Sequence, residues 1–441
     1  MMDLGLWMFP ALFLLIILGF PIAFSMMSVA LVFGYLRFDD AVVFQLVSKV
    51  YDVSGNYVLG AIPLFIFMGA MLERSGIAER LFDAIHLWTR RIPGGLGVGA
   101  VVMATIFAAA SGVAGATEIV VGMLAIPPMV KHAYDNRLIA GTICAGGSLG
   151  TMIPPSITVL VLAPIANLPV GDLFAGIMLP GILMSGMFIL YIIVNSWVGP
   201  NRASRRLIQD EGPALSVFAI LSMTVLALLP PAALIFMVLG TILMGWATPT
   251  EAAACGAFGS FLLALMHGQI TWKVMVSSLY STLKITAMIM LIILAGNMFA
   301  GVFYASGGMH AIQGVLDQYG LAGWPAIVAI LVLTFLGGFI LDLISVVLLV
   351  IPVAMPLVKL YGIDPQWFCI LFLVTLQTAY ITPPMAPSIF YMRAIAPPSI
   401  TLMDMYRGVI PFIVLELMVL AMVVVFPQLA TWLPQVIYGY K

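Results

Sequence analysis

Apolar stretches long enough to cross a bilayer recur along the whole chain, and that recurrence leaves little freedom of fold. Inside hydrocarbon every backbone N–H and C=O must find its partner within the protein, and a helix satisfies them within one segment. The chain is therefore read as an all-α polytopic membrane protein. Its composition agrees: of 441 residues 63% are hydrophobic and only 8% charged, with a mean hydropathy of +1.18. No polar segment is long enough to hold a core of its own, so residues 1–441 are taken as one integral membrane unit.

The first apolar run has no basic flank and continues past residue 30, which reads as a retained helix rather than a cleaved leader. Cys144, Cys255 and Cys369 lie far apart among small and apolar neighbours, with no metal or disulfide spacing, and read as packing residues. The formal net charge is −1 and the basic residues are scattered over loops, so nucleic-acid binding is excluded as a partner class.

Against this background two segments stand out. Residues 146–158 read GGSLGTMIPPSIT and residues 377–390 read QTAYITPPMAPSIF, each with a Pro-Pro pair in the middle of an apolar run. Proline removes a backbone donor and clashes with the preceding turn, so each pair breaks a helix. The second pair follows the first after 229 residues, and at that offset Ala125 meets Ala354 and Pro127 meets Pro356. Asp172-Leu-Phe-Ala-Gly176 likewise resembles Asp404-Met-Tyr-Arg-Gly408. We read two structural repeats, 4–198 and 213–427, joined by the polar linker 199–213.

Each repeat is expected to hold the same elements in order. A long Pro-interrupted segment (7–36; 215–246) precedes a spanning helix (57–73; 282–306) and an amphipathic arm (76–91; 307–319). A hairpin follows, over 97–130 with arms 97–110 and 116–130, and over 323–358 with arms 323–336 and 342–358. Arms this short rise only about 21–26 Å against a hydrocarbon core of about 30 Å, which predicts re-entrant hairpins. The broken helices (137–165; 366–396) and a last spanning helix (172–198; 403–427) complete the repeats. An extra helix at 250–267 opens with Thr248, Pro249 and Glu251, a capping-box sequence.

Arg90, Arg91, Lys131, His132 and Arg137 flank the first hairpin, and Arg202, Arg205 and Arg206 fall in the linker, so both places are expected to be cytoplasmic. If 215–246 crosses the membrane once, the second repeat is inverted relative to the first; two crossings, split at Pro230-Pro231, would remove the inversion. One crossing is the preferred reading.

Non-helical backbone inside a bilayer persists only where protein or an aqueous cavity surrounds it. Two hairpin tips facing two broken helices suit the midplane site of a secondary transporter. Unwound carbonyls are hard oxygen ligands for a small cation, and half-helix N-termini attract an anion. A structural kink is the plainer alternative, and its repetition beside two glycine-tipped hairpins argues against it.

CAGGSLGTMIPPSI resembles the G-x-L-G-x-x-I-P-P-S signature of the large membrane subunit (M, or DctM-type) of tripartite ATP-independent periplasmic (TRAP) transporters. SGVAGAT is similar to that family's first hairpin tip, LGGFILD to its second, YITPPMAPSIF to its second broken helix and WATPTEAAACG to its central helix. The resemblance spans essentially the whole chain. It implies an elevator-type fold of the ion transporter superfamily in the bacterial inner membrane, importing a small organic acid by symport with sodium. It also implies a small four-helix membrane subunit (Q, or DctQ-type) and a periplasmic substrate-binding protein (P, or DctP-type) as partners, and no covalent cofactor. Carried over position by position, a first sodium site falls on Ser111, Gly150, Ile153 and Pro155. A second falls on Gly337, Gly338, Ala379 and Thr382, with Pro383 as a further candidate. Substrate would lie near Ser111, Val113, Ser156, Thr158 and Asp342. The first tip departs from the hydroxyl-rich S-G-S-S pattern, so Val113 and Ala114 offer only backbone there.

Two readings stay open for several residues. Asp342 is either a substrate or ion contact or the N-cap of the second hairpin's returning arm. Glu118, unexpected in the family pattern, is either a proton-linked coupling or selectivity group, or a side chain that favours the hairpin helix's positive end or bonds a neighbouring helix. Glu416 reads chiefly as an interhelical hydrogen-bond partner, and Arg393 either attracts a carboxylate or snorkels. The runner-up function is a stand-alone sodium- or proton-coupled organic anion carrier of the same superfamily. An enzyme is disfavoured because no His-x-x-x-His or Ser/His/Asp arrangement occurs, and a channel because paired hairpins suit alternating access better than a continuous pore.

Overall fold

The computed structural model describes residues 4–198 and 217–439, apart from the side chains of residues 217 and 219. The linker 199–213, with Arg202, Arg205 and Arg206, lies outside the described residues. Among these, every regular element is helical, and eight helices are long and apolar enough to cross a membrane. Phe218, Phe258, Leu283 and Met266 turn outward, as expected where hydrocarbon replaces water around a bundle.

The first expected segment is two helices, Leu4–Ile17 and Ile22–Phe38, separated at Gly19 and Pro21 and packed against one another. Its counterpart behaves differently. Val217–Ile235 continues unbroken through Pro230-Pro231 into a π turn, Phe236–Gly240. In that turn the Thr241 hydroxyl donates to the Met237 carbonyl at 2.7 Å. The segment is thus one helix of membrane-crossing length, Ile220–Leu243.

The two amphipathic arms form as Ile77–Thr89 and Gly308–Gln318, each entered through a left-handed glycine, Gly76 and Gly307. His86, on the first arm, stacks on Phe82, and burial lowers its pKa. The spanning helices are Ala61–Arg74, preceded by a 3-10 turn, and Trp272–Ala305, which begins ten residues before the expected 282. The central helix Pro249–Met266 carries the expected capping box: the Thr248 hydroxyl accepts from the Glu251 N–H while the Glu251 carboxylate accepts from the Thr248 N–H. Two helices escaped the sequence reading, Ala41–Ser54 and Gln428–Tyr438. Cys144 and Cys369 are buried as expected, but Cys255 is exposed, so it is not a packing residue.

Both hairpins are present. The entering arms, Gly95–Ser111 and Trp324–Gly337, are 17 and 14 residues long, close to expectation. The returning arms, Ala114–Lys131 and Leu343–Leu360, are 18 residues each, because the helix starts nearer the first tip and runs on through Pro127-Pro128 and Pro352. At about 27 Å each they fall little short of the hydrocarbon core, so length alone does not mark them as re-entrant.

The broken helices lie at the centre. The first runs Asn136–Ser148, a 3-10 turn Leu149–Thr151, an irregular stretch 152–156, then Ile157–Ala166. The second runs Pro365–Ile381, an irregular stretch 382–386, then Pro387–Ile395. Both prolyl-prolyl bonds are cis. Packing crosses between the halves: the returning arm Leu343–Leu360 lies against Ile157–Ala166, and Ala114–Lys131 against Pro387–Ile395. The last long helices, Val170–Val198 and Leu402–Val425, cross in the same sense. A methyl group on Gly408 would stand 2.2 Å from the Arg137 carbonyl, and one on Gly176 3.1 Å from the Gln366 amide.

Gly408 admits no side chain, because the atom it would strike is backbone. Gly408→Ala should destabilise the fold by about 1–3 kcal/mol, read as a lower unfolding midpoint in detergent. An unchanged midpoint would mean that the two helices do not cross there.

Candidate functional site

Each break is covered by the tip of the hairpin that precedes it. At the first tip Gly112 adopts φ +66, a conformation that L side chains rarely take, and its carbonyl accepts from the Ile157 N–H at 3.4 Å. A Cβ on Gly112 would lie 2.5 Å from the Pro155 carbonyl oxygen, and one on Gly150 would lie 2.7–3.0 Å from backbone atoms of Ala114 and Val113. The second tip repeats the approach: a Cβ on Gly338 would lie 2.5 Å from the Ala379 side chain. Gly150 and Ala379 are separated by the same 229 residues as the Pro-Pro pairs. Ser111, Val113, Gly150 and Pro155 are thus brought together, as are Gly338 and Ala379.

The breaks expose oxygen. The Leu149 carbonyl takes both the Met152 and Ile153 N–H groups, and no described donor is bonded to the carbonyls of Ile153, Pro154 or Pro155. At the second break the Thr382 N–H returns to the Ala379 carbonyl at 3.2 Å. The Tyr406 hydroxyl donates to Pro384, while among the described residues the Thr382 and Pro383 carbonyls have no bonded donor. Buried carbonyls without donors are costly, and oxygen donors of this hardness suit a small hard cation. No group of three or more His, Cys, Asp or Glu able to hold a metal ion occurs among the described residues.

The candidate substrate residues divide. Ser111 is buried, its hydroxyl 3.1 Å from that of Thr117, which in turn donates to the Val113 carbonyl. Ser156 is buried with no partner for its hydroxyl, and Thr158 is buried beside it at the start of Ile157–Ala166. Asp342 caps the returning arm of the second hairpin, accepting from the Ile344 and Ser345 N–H groups and from the Ser345 hydroxyl. The capping reading therefore holds for Asp342, and capping leaves its charge in place. Gly337 faces away from the break, on the wall of an apolar cleft of about 380 Å³ shared with Phe9, Phe13 and Ile340.

Glu118 is fully buried. One carboxyl oxygen accepts from the Ser388 hydroxyl at 2.8 Å and the other has no partner, which ties the first hairpin to the second broken helix. Tyr391 packs over Gly115, just past the first tip. Sequence reading missed Ser388 and Tyr391. It also missed Ser148, Thr151 and Gln377, which join the two broken helices. The 229-residue spacing of Ser148 and Gln377 was the available signal, and they bond to each other at 3.1 Å.

The family model described as tripartite ATP-independent periplasmic transporter, DctM component, matches residues 9–429. A C4-dicarboxylate TRAP transporter large permease protein of Pseudomonas aeruginosa is 31% identical, covering 90% of this chain and 91% of its own. A sialic acid TRAP transporter large permease protein of Vibrio cholerae is 28% identical with 97% of each chain covered. An ectoine TRAP transporter large permease protein of Halomonas elongata is also 28% identical, over 95% and 96%. In fold, the chain is similar to the YdaH transporter of Alcanivorax borkumensis, with a TM-score of 0.65, 15% identity and 98% and 99% coverage.

If tip and break form one unit, a methyl group at either contact should separate them. Gly150→Ala and Gly338→Ala should each cost about 1–3 kcal/mol and raise hydrogen exchange in the adjoining tip, 111–117 or 337–345. Exchange unchanged in both tips would mean that the breaks are not held by the hairpins.

Proposed function

The chain belongs to the DctM component family of tripartite ATP-independent periplasmic transporters, permeases rather than enzymes, and we propose that it imports a small organic acid with sodium. In this reading it is the large subunit of an inner-membrane assembly, working with a small four-helix subunit and a periplasmic binding protein that delivers the substrate. The two halves are inverted repeats. The hairpins and broken helices move together as an elevator against the long helices around them.

The single observation that carries this reading is the pair of tip-covered breaks with donor-free carbonyls. At the first, Ile153 and Pro155 offer main-chain oxygens beside Ser111, and the Gly150 carbonyl is proposed to join them. At the second, Thr382 and Pro383 do so beside Gly338 and Ala379. A sodium ion in each would supply the positive partner these oxygens lack. The fit is weaker for Gly337, which lines the apolar cleft instead. Substrate carboxylate would then sit against the N-terminus of Ile157–Ala166, where Ser156 and Thr158 present hydroxyls and the helix end is positive. The relatives' named substrates, C4-dicarboxylates, sialic acid and ectoine, share a carboxylate and little else, which suits recognition of that group by a helix end. The bond between Ser148 and Gln377, equivalent positions of the proposed repeats, supports the twofold relation.

Reconstituted with its two partners, the protein should take up substrate in response to an inward sodium gradient at constant pH. Uptake that follows a pH gradient and ignores sodium would overturn the coupling. Asp342 separates two roles in one experiment, because asparagine caps a helix about as well as aspartate while alanine costs about 1 kcal/mol. Asp342→Asn should keep the unfolding midpoint and lower uptake about tenfold or more, a loss of about 1.4 kcal/mol of transition-state stabilisation. Full uptake in Asp342→Asn would leave Asp342 a cap only.

A further inference from the structure

Between the two breaks lies a chain of buried side-chain hydrogen bonds that the transport reading does not use. The Thr151 hydroxyl, with one proton to give, lies 2.7 Å from the Gln377 side-chain carbonyl and 2.9 Å from the Ser148 backbone carbonyl, the Gln377 oxygen being the nearer acceptor. The Gln377 amide nitrogen donates to the Ser148 hydroxyl at 3.1 Å and to one Glu416 carboxyl oxygen at 3.3 Å. The Ser148 hydroxyl donates to the Ala145 carbonyl at 2.8 Å and lies 3.4 Å from the same Glu416 oxygen. All four side chains are buried, and the second Glu416 oxygen has no partner. Three separate elements thus meet on one glutamine: the first broken helix, the second broken helix and the last long helix.

The placement is what matters. Thr151 adjoins Gly150 and lies two residues before Ile153, while Gln377 lies two residues before Ala379. Each end of the Thr151–Gln377 bond is therefore within one turn of a proposed cation site. Apolar contacts tolerate sliding, but a hydrogen bond of 2.7 Å weakens within a few tenths of an ångström or a few tens of degrees. A buried bond that breaks also leaves its groups desolvated and unpaired. A displacement at one break is consequently resisted at the other.

We infer that Thr151, Gln377 and Ser148, held by Glu416, are positioning residues that couple the two cation sites, so that filling one orders the other. This rests on the sodium reading of the two breaks. It assigns no ligand role to the four side chains; they act by fixing the register of the unwound segments, and the coupling is reciprocal by linkage.

The test is equilibrium binding of radiolabelled sodium to the purified full chain in its complex, with unfolding midpoints measured alongside. Wild type should bind sodium with a Hill coefficient above one. Thr151→Val, which matches threonine in shape and removes the hydroxyl, should flatten the curve towards independent sites and raise the half-saturating concentration about fivefold. Gln377→Leu, which removes the central node, should do the same, and Thr151→Ser should restore cooperativity. A Thr151→Val curve superimposable on wild type, or a wild-type curve without cooperativity, overturns the coupling and leaves sodium-driven uptake standing. A wild-type protein that binds no sodium removes the proposed function, and this inference with it.

Discussion

The structure depends on the close approach of each hairpin tip to a broken helix, backbone on backbone at the first break and Gly338 on the Ala379 side chain at the second. A bare carbonyl in an apolar surrounding costs about 2–7 kcal/mol; this weighs on the fully buried first break, while at the second Thr382 and Pro383 are half-buried and Pro384 is exposed. Nothing in either broken helix offsets that cost from within, since its prolines have removed the donors. The tips make the breaks tolerable by excluding lipid and by closing to a distance at which even a methyl group would collide. Gly112, Gly150 and Gly338 are therefore fixed by the same requirement, although they lie on three different elements.

That requirement also links architecture to chemistry. Under the proposed function, oxygens left without donors are where a cation would sit, and such a site would need no carboxylate cluster. The acidic residues that do lie nearby are in structural company: Asp342 caps a helix, Glu118 holds Ser388 and Glu416 holds Gln377 and Ser148. Each joins elements that belong to different parts of the chain, or fixes the end of one.

Much of this was legible in the residues, for identifiable reasons. The breaks at Pro154-Pro155 and Pro383-Pro384 were legible because two alike segments carry them 229 residues apart; proline by itself does not decide, since Pro127-Pro128 and Pro230-Pro231 sit inside continuous helices. The capping box at Thr248 and Glu251 is a local signal. What escaped depends on tertiary context. Whether Pro230-Pro231 ends a helix was open in the sequence, and the structure carries the helix through both prolines. Ala41–Ser54 and Gln428–Tyr438 are short amphipathic helices without a bilayer-length signal. Gly337 was assigned to the second break beside Gly338, but a one-residue step along a helix end turns it towards Phe9 and Phe13 instead. The Ser148–Gln377 bond could have been found, because residues at the repeat offset that carry polar side chains inside apolar helices are natural partners on a twofold axis.

The two breaks resemble each other as cation sites and differ as anion sites. The returning arm of the second hairpin begins with Asp342, whose carboxylate already takes two of the arm's free N–H groups and neutralises its positive end. Pro387 opens the last half-helix and contributes no N–H at all. Ile157–Ala166 is different: its N-cap Ser156 makes no side-chain capping bond, and its hydroxyl is buried without a partner. Under the proposed function a carboxylate seeking donors at these helix ends would find them at the first break, beside Ser111, and the second break would serve the cation alone. A pseudo-symmetric scaffold can in this way bind its ions twice and its substrate once, with the asymmetry set by which helix end is left uncapped.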